Sequence, residues 1–145
     1  MTKSIKSYAL KFLSKRDYAY LELYNKLKKY SDDEIVIKNV LDELSTKGWL
    51  SEERYINSYI SFKSQKYSLS RIRNTLIGKT CNPKLVEQEI SKHDLNEYDV
   101  AFKLWQRKFG VVSSDLKEKS RQVRFLANKG FNFEVINKIV NNRIL

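Results

Sequence analysis

Three leucines constrain this chain more than any other feature. Leu27, Leu76 and Leu126 stand 49 and 50 residues apart, and each is followed nine, ten and fourteen positions later by an aliphatic residue. The nine residues so defined are Val36, Ile37 and Leu41, then Leu85, Val86 and Ile90, then Val135, Ile136 and Val140. A step of four keeps two side chains on one face of a helix, and a step of one sets them about 100° apart, within the width of an apolar stripe. A pattern that returns at this period predicts three copies of one helical unit, each with little core of its own and therefore stacked on its neighbours. Leu13 and Phe62 lie fourteen residues before the first two anchors, whereas the matching aromatic, Trp105, lies 21 before Leu126. The third copy thus carries seven extra residues in the loop around GVVSSD. Chance agreement between unrelated amphipathic helices is the alternative reading.

Within each copy the apolar spacing predicts three helices. In the first they cover roughly residues 3–14, 18–29 and 33–47, with Asp17 and either Asp32 or Asp33 as caps. In the second they cover 51–66, a segment starting at Ser68 or Ser70, and a segment with Pro83 in its first turn. In the third, Val100, Leu104, Trp105 and Phe109 mark one helix, Val123 and Leu126 the next, and Val135, Ile136, Ile139 and Val140 the last. The stretch GWLSEERYINSY, Gly48 to Tyr59, reads as the seam between two copies. Gly48 suits the left-handed residue that closes a helix, Ser51 caps the next, and Glu52 and Glu53 face its positive end. Trp49 is expected to pack at this seam. The expected fold is all-α: three tandem three-helix, helix-turn-helix-like repeats over residues 1–49, 50–95 and 96–145, stacked into one elongated, curved body.

The residue inventory excludes much. One proline and four glycines leave few breaks. No apolar run approaches the roughly 18 residues of a membrane span, and the N-terminus lacks a signal-peptide pattern. A cytoplasmic protein is expected, in keeping with the single Cys81, which has no partner for an intrachain disulfide. His93 is the only histidine, so neither it nor Cys81 has the spaced partners of a zinc site, and no metal or cofactor is expected. Neither a Gly-rich phosphate loop nor a nucleophile elbow occurs, and Asp32 and Asp33 are better read as helix-start residues than as an acid–base pair. This does not read as an enzyme. Lys and Arg number 28 against 17 Asp and Glu, a net charge of +11. The surplus is +3, +3 and +5 over residues 1–50, 51–95 and 96–145. Such an excess favours a polyanionic partner, with a solvated basic surface as the plain alternative.

The order LSTKGWLSEERY (Leu44–Tyr55), then SLSRIR (Ser68–Arg73), then RFLANKGF (Arg124–Phe131) resembles the RecX family of RecA regulators, and ALKFLSKRDYAYLELYNKL (Ala9–Leu27) resembles that family's first repeat. The likeness runs from about Ser7 to Val140. Ser68 and Thr80 stand where that family usually has glycine, and Ser31 stands where the third copy has Gly130. The resemblance implies three tandem three-helix units and a non-catalytic modulator that binds along RecA–single-stranded DNA filaments, restraining filament growth, ATP hydrolysis and strand exchange. The expected partners are the RecA filament and single-stranded DNA, with double-stranded DNA as a further candidate; no membrane and a monomeric state are expected. A helix-turn-helix DNA-binding protein and a basic helical scaffold are the rival readings.

Helix geometry selects the candidate contacts. Arg71 and Arg73 flank the apolar Ile72 near the start of a helix whose free amides favour anions. Lys117, Lys119, Arg121 and Arg124 precede and flank Val123, Lys129 ends that helix, and Lys15 and Arg16 form a corner pair. Each has a plain alternative as part of a solvated face, and Lys129 as a complement to a helix C-terminus. Tyr8, Phe12, Tyr55, Tyr59, Phe62 and Trp105 lie at helical spacing and are expected in the core rather than under nucleic-acid bases.

Overall fold

The computed structural model describes residues 4–93 and 95–141. Among them lie nine helices and no strand: α1 (Ile5–Leu13), α2 (Tyr20–Leu27), α3 (Glu34–Thr46), α4 (Glu52–Lys63), α5 (Leu69–Thr80), α6 (Pro83–Lys92), α7 (Glu97–Lys108), α8 (Leu116–Asn128) and α9 (Phe133–Val140). Lys3, where the first helix was expected to begin, lies outside the described residues. Local chemistry sets most starts. Ser4, Asp33, Asn96, Asp115 and Asn132 each accept a first-turn amide hydrogen with the side-chain oxygen.

The described residues form two compact units. One comprises the chain up to Tyr59 together with Leu76–Glu89, and the other comprises Ile60–Thr75 together with the chain from Ile90 onward. Helices α4, α5 and α6 contribute to both. In the first unit α1, α2 and α3 pack on one another around Ala9, Tyr18, Leu23, Leu27, Ile37 and Leu41. In the second, α7, α8 and α9 do the same around Ala101, Leu104, Trp105, Leu126, Ile136 and Val140. The three anchors Leu27, Leu76 and Leu126 are wholly buried, as the period requires. The positions ten and fourteen residues beyond them are buried too, from Ile37 and Leu41 to Ile136 and Val140. The position nine beyond is not: Val36 is 41% exposed, and Leu85 and Val135 are half-buried.

At Gly48 the chain closes one helix and restarts the next, as the local residues predict. Gly48 has φ +79°, its amide donates to the Ser45 carbonyl at 3.0 Å, and the Trp49 amide reaches the Leu44 carbonyl at 2.9 Å. This paired closure satisfies two carbonyls that α3 leaves open. Ser51 Oγ then accepts from the Arg54 amide at 3.2 Å, so α4 starts with a capped turn. Arg54 stitches the corner: its guanidinium donates to the carbonyls of Gly48 and Trp49 and to Asp17 Oδ1.

Several expectations are corrected. Asp17 does not cap α2, because its carboxylate is taken by Arg54. The residue at the cap position is Ala19, and the Glu52 carboxylate accepts from the Tyr20 amide instead, at 3.0 Å. Trp49 is 57% exposed rather than packed. Phe62 is 59% exposed, because the buried stripe of α4 runs through Ile56 and Ile60, two residues earlier than the match to Leu13 requires. Where the resemblance puts glycine, Thr80 is buried and bonds the Leu76 carbonyl through its hydroxyl at 2.8 Å, and the following Cys81 takes the left-handed turn at φ +54°.

Candidate nucleic-acid and filament interface

The second unit gathers three of the candidate cations, Arg71, Arg121 and Lys129, around a line of aromatic rings. Its anchor is the corner where α5 begins and α8 ends. The Ser68 amide donates to the Lys129 carbonyl at 3.0 Å, and the buried Ser68 hydroxyl accepts from the Arg71 amide at 3.2 Å. The Arg71 guanidinium donates to the Asn128 carbonyl and lies over the Tyr67 ring, 4.1 Å from its centre. Arg71 thus satisfies one of the carbonyls left open at the end of α8. Lys129 lies 5.2 Å from the centre of the same ring and Lys63 5.8 Å. An aromatic face attracts cations through its quadrupole, so Tyr67 holds three basic groups close together.

The rings continue to Phe125 and Phe109, which meet edge to face with centres 5.4 Å apart. Lys108 lies 4.5 Å from the centre of Phe125, and Arg121 lies 5.6 Å from that of Phe109. The fixed register of α8 explains why its cations point outward: Gln122 and Leu126 are its buried residues. The Gln122 amide oxygen accepts from the Trp105 indole at 2.8 Å, and its nitrogen donates to the Val111 carbonyl at 3.1 Å, which ties down the longer loop.

The expected contact residues do not all come together. Arg71, Arg121 and Lys129 come together on the aromatic line just described. Lys117 and Arg124 stand exposed on α8 with no ion-pair or hydrogen-bond partner for their side-chain charge among the described residues, whereas Arg121 also pairs with Glu118 at 3.6 Å. Lys119 is half-buried and donates to Asn141 Oδ1 at 3.3 Å, and Arg73 is half-buried on α5. In the first unit Lys15 is exposed, but Arg16 is engaged within the unit. Its guanidinium holds both carboxylate oxygens of Glu22, at 3.1 and 2.9 Å, and lies 3.7 Å over the Tyr18 ring. The Glu22 hydrogen bond raises the Arg16 pKa, so its charge is both permanent and neutralised in place. The expectation of free amides at the start of α5 is also corrected, because Glu97 Oε1 occupies the Leu69 amide at 2.5 Å and Ser68 Oγ that of Arg71.

Sequence reasoning missed Lys63, Lys66, Arg107 and Lys108. The signal was present in KSQK at Lys63–Lys66 and in the RK pair that ends α7, yet no periodicity joins segments forty residues apart. Phe62, misassigned to the core, lies beside two of these cations, with Lys63 and Lys66 at 5.6 and 5.2 Å from its ring centre.

Three-helix units with cations ranged on aromatic rings define a strongly basic, all-α protein, and comparison with known proteins narrows that class. Residues 96–140 match the family described as RecX, third three-helix domain. Over 137 residues the chain is 34% identical to the Regulatory protein RecX of Leptothrix cholodnii, covering 94% of this chain and 87% of that one. It is 32% identical to the Regulatory protein RecX of Chromobacterium violaceum, covering 95% and 90%. The crystal structure of RecX from Lactobacillus salivarius superposes with a TM-score of 0.74 at 19% identity, covering 95% of this chain and 93% of that one. The chain belongs to the RecX family. No helix among the described residues is long and apolar enough to cross a membrane.

Proposed function

We propose that this protein is a non-catalytic, monomeric modulator of RecA recombinase in the cytoplasm. In this reading it binds along RecA–single-stranded DNA filaments and restrains their growth, ATP hydrolysis and strand exchange, and so acts in homologous recombination, DNA repair and the SOS response. The observation that carries the reading is the gathering of Arg71, Arg121 and Lys129 on the aromatic line of a chain that belongs to a family of regulatory proteins. Cations held on ring faces are positioned before binding, so less side-chain freedom is lost when they meet phosphates or acidic protein surface. Three repeats, over residues 1–49, 50–95 and 96–145, serve as successive contact modules. Weak contacts from several modules favour a polymer over a lone protomer.

The test is DNA-dependent ATP hydrolysis by RecA on single-stranded DNA, followed as this protein is added. Inhibition at stoichiometric or lower ratios is expected, relieved by rising salt as counterions compete for phosphates. Unchanged hydrolysis and strand exchange at excess protein would refute the proposal.

A further inference from the structure

A cleft of about 300 Å³ opens in the second unit beside the aromatic line, and its charge is of one sign. Lys66, Arg107, Lys108 and Lys129 line it, with Leu104 and Phe125 as its apolar wall. A second recess of about 160 Å³ shares Gln65, Leu104 and Arg107 with the first and adds Lys103. No carboxylate lines either recess, and none of these five cations has an ion-pair partner among the described residues. Like charges brought together repel, and only ring faces offset this: Phe125, with Lys108 and Lys129 at 4.5 and 5.5 Å from its centre, Tyr67 for Lys129 and Phe62 for Lys66. Convergent cations without a counter-charge form a receptor for an anion.

The geometry points to the phosphodiester backbone of a single nucleic-acid strand as that anion, and we propose this cleft as its binding site. The assignment deepens the function proposed above and rests on it for the choice of ligand. Two recesses that share a wall suit successive phosphates of a flexible chain better than one small ion. A duplex presents its phosphates on a rigid convex cylinder and would meet such a recess only at its rim. The face of Phe125 is already occupied by two ammonium groups, so its role is to hold lysines rather than to stack bases. Binding is therefore indifferent to the bases. Lys103 and Arg107 lie one turn apart on α7, and Lys108 follows on the adjacent row, so a single helix supplies three of the five cations.

The experiment measures fluorescence anisotropy of a labelled oligothymidylate of about twenty nucleotides with the full chain and no RecA. The triple variant Lys66→Gln, Arg107→Gln, Lys108→Gln is expected to bind at least tenfold more weakly at low salt. Its log–log salt slope is expected to be shallower by about two, near 0.7 for each lost phosphate contact on a single strand. A control of equal charge loss in the first unit, Lys11→Gln, Lys29→Gln, Lys38→Gln, is expected to change affinity less than threefold. An abasic strand of equal length is expected to compete as well as the oligothymidylate, and millimolar inorganic phosphate only weakly. Equal weakening by both triple variants would overturn the proposal. So would tenfold poorer competition by the abasic strand, full competition by inorganic phosphate, or equal competition by polyglutamate. If RecA is restrained while the cleft variant binds the strand normally, the cleft assignment alone falls. If the cleft behaves as expected but RecA is unaffected, the proposed function falls and the cleft stands.

Discussion

The Cβ that Gly130 lacks would stand 2.5 Å from the hydroxyl oxygen of Ser68. Ser68 is wholly buried and its hydroxyl caps α5, so it cannot turn aside without giving up the Arg71 amide. Gly130 also has φ +97° and would meet Arg71 Cβ at 3.0 Å. Gly130→Ala is therefore expected to destabilise by about 2 kcal/mol or more, from left-handed strain and overpacking together. Gly48, at φ +79° with open space around it, carries only the first term, and Gly48→Ala is expected near 1 kcal/mol. Urea melts of the two variants check the order, and equal losses would mean that the Ser68 contact does not matter.

The buried anchors give a second comparison. Leu27→Ala, Leu76→Ala or Leu126→Ala is expected to cost about 2–5 kcal/mol, because each leaves a cavity in a closed core. Val36→Ala, at a repeat position that proves exposed, is expected to stay within about 1 kcal/mol. Thermal unfolding followed at 222 nm distinguishes these outcomes.

Gln122 is polar and 1% exposed, held between the Trp105 indole and the Val111 carbonyl. Gln122→Leu leaves the buried Trp105 indole without a bond and releases the exposed Val111, and is expected to destabilise by about 1–3 kcal/mol. Loosening of the loop before α8 is expected to change Trp105 fluorescence before global unfolding. A variant as stable as the parent, with unchanged emission, would show that neither bond matters.

Charge reversals on α8 and α5 are expected to differ in kind. Arg124→Glu with Arg121→Glu removes outward charge and is expected to weaken RecA inhibition several-fold with helicity intact. Arg71→Glu also removes the donor to the Asn128 carbonyl and sets a carboxylate against it, so a loss of about 1–3 kcal/mol in stability is expected alongside any loss of function. Circular dichroism melts beside ATPase assays separate the two effects.

Glu43 supplies a pH test. Hydrogen bonds from Lys47 and Lys6, both at 2.8 Å, hold its carboxyl down at about 2. A depressed carboxylate pKa contributes stability that is fully present above the unfolded-state value near 4.5 and lost as pH falls toward 2. Glu43→Gln is expected to flatten the stability profile across that window, by a small amount that shrinks in salt because the group is exposed. A profile unchanged by the substitution would show that these bonds add nothing in solution.

The all-helical class, the buried anchors Leu27, Leu76 and Leu126 at a spacing near fifty residues, and the helix stop at Gly48 were legible in the sequence. These follow from interactions within one or two turns, where side-chain spacing, caps and a left-handed glycine act locally. The charged surface was legible only in part. Arg124 and Lys117 could be read as outward from the stripe of α8, but Arg16 proved bound to Glu22, and the start of α5 proved filled by Glu97. Tertiary structure alone decided that Phe62 faces solvent and that Lys66, Arg107, Lys108 and Lys129 meet in one cleft. The reason is distance along the chain. Charges separated by tens of residues have no fixed relation in the sequence, and their convergence is set by how α7, α8 and the end of α4 pack. That packing is specified by buried apolar shape rather than by the cations it brings together.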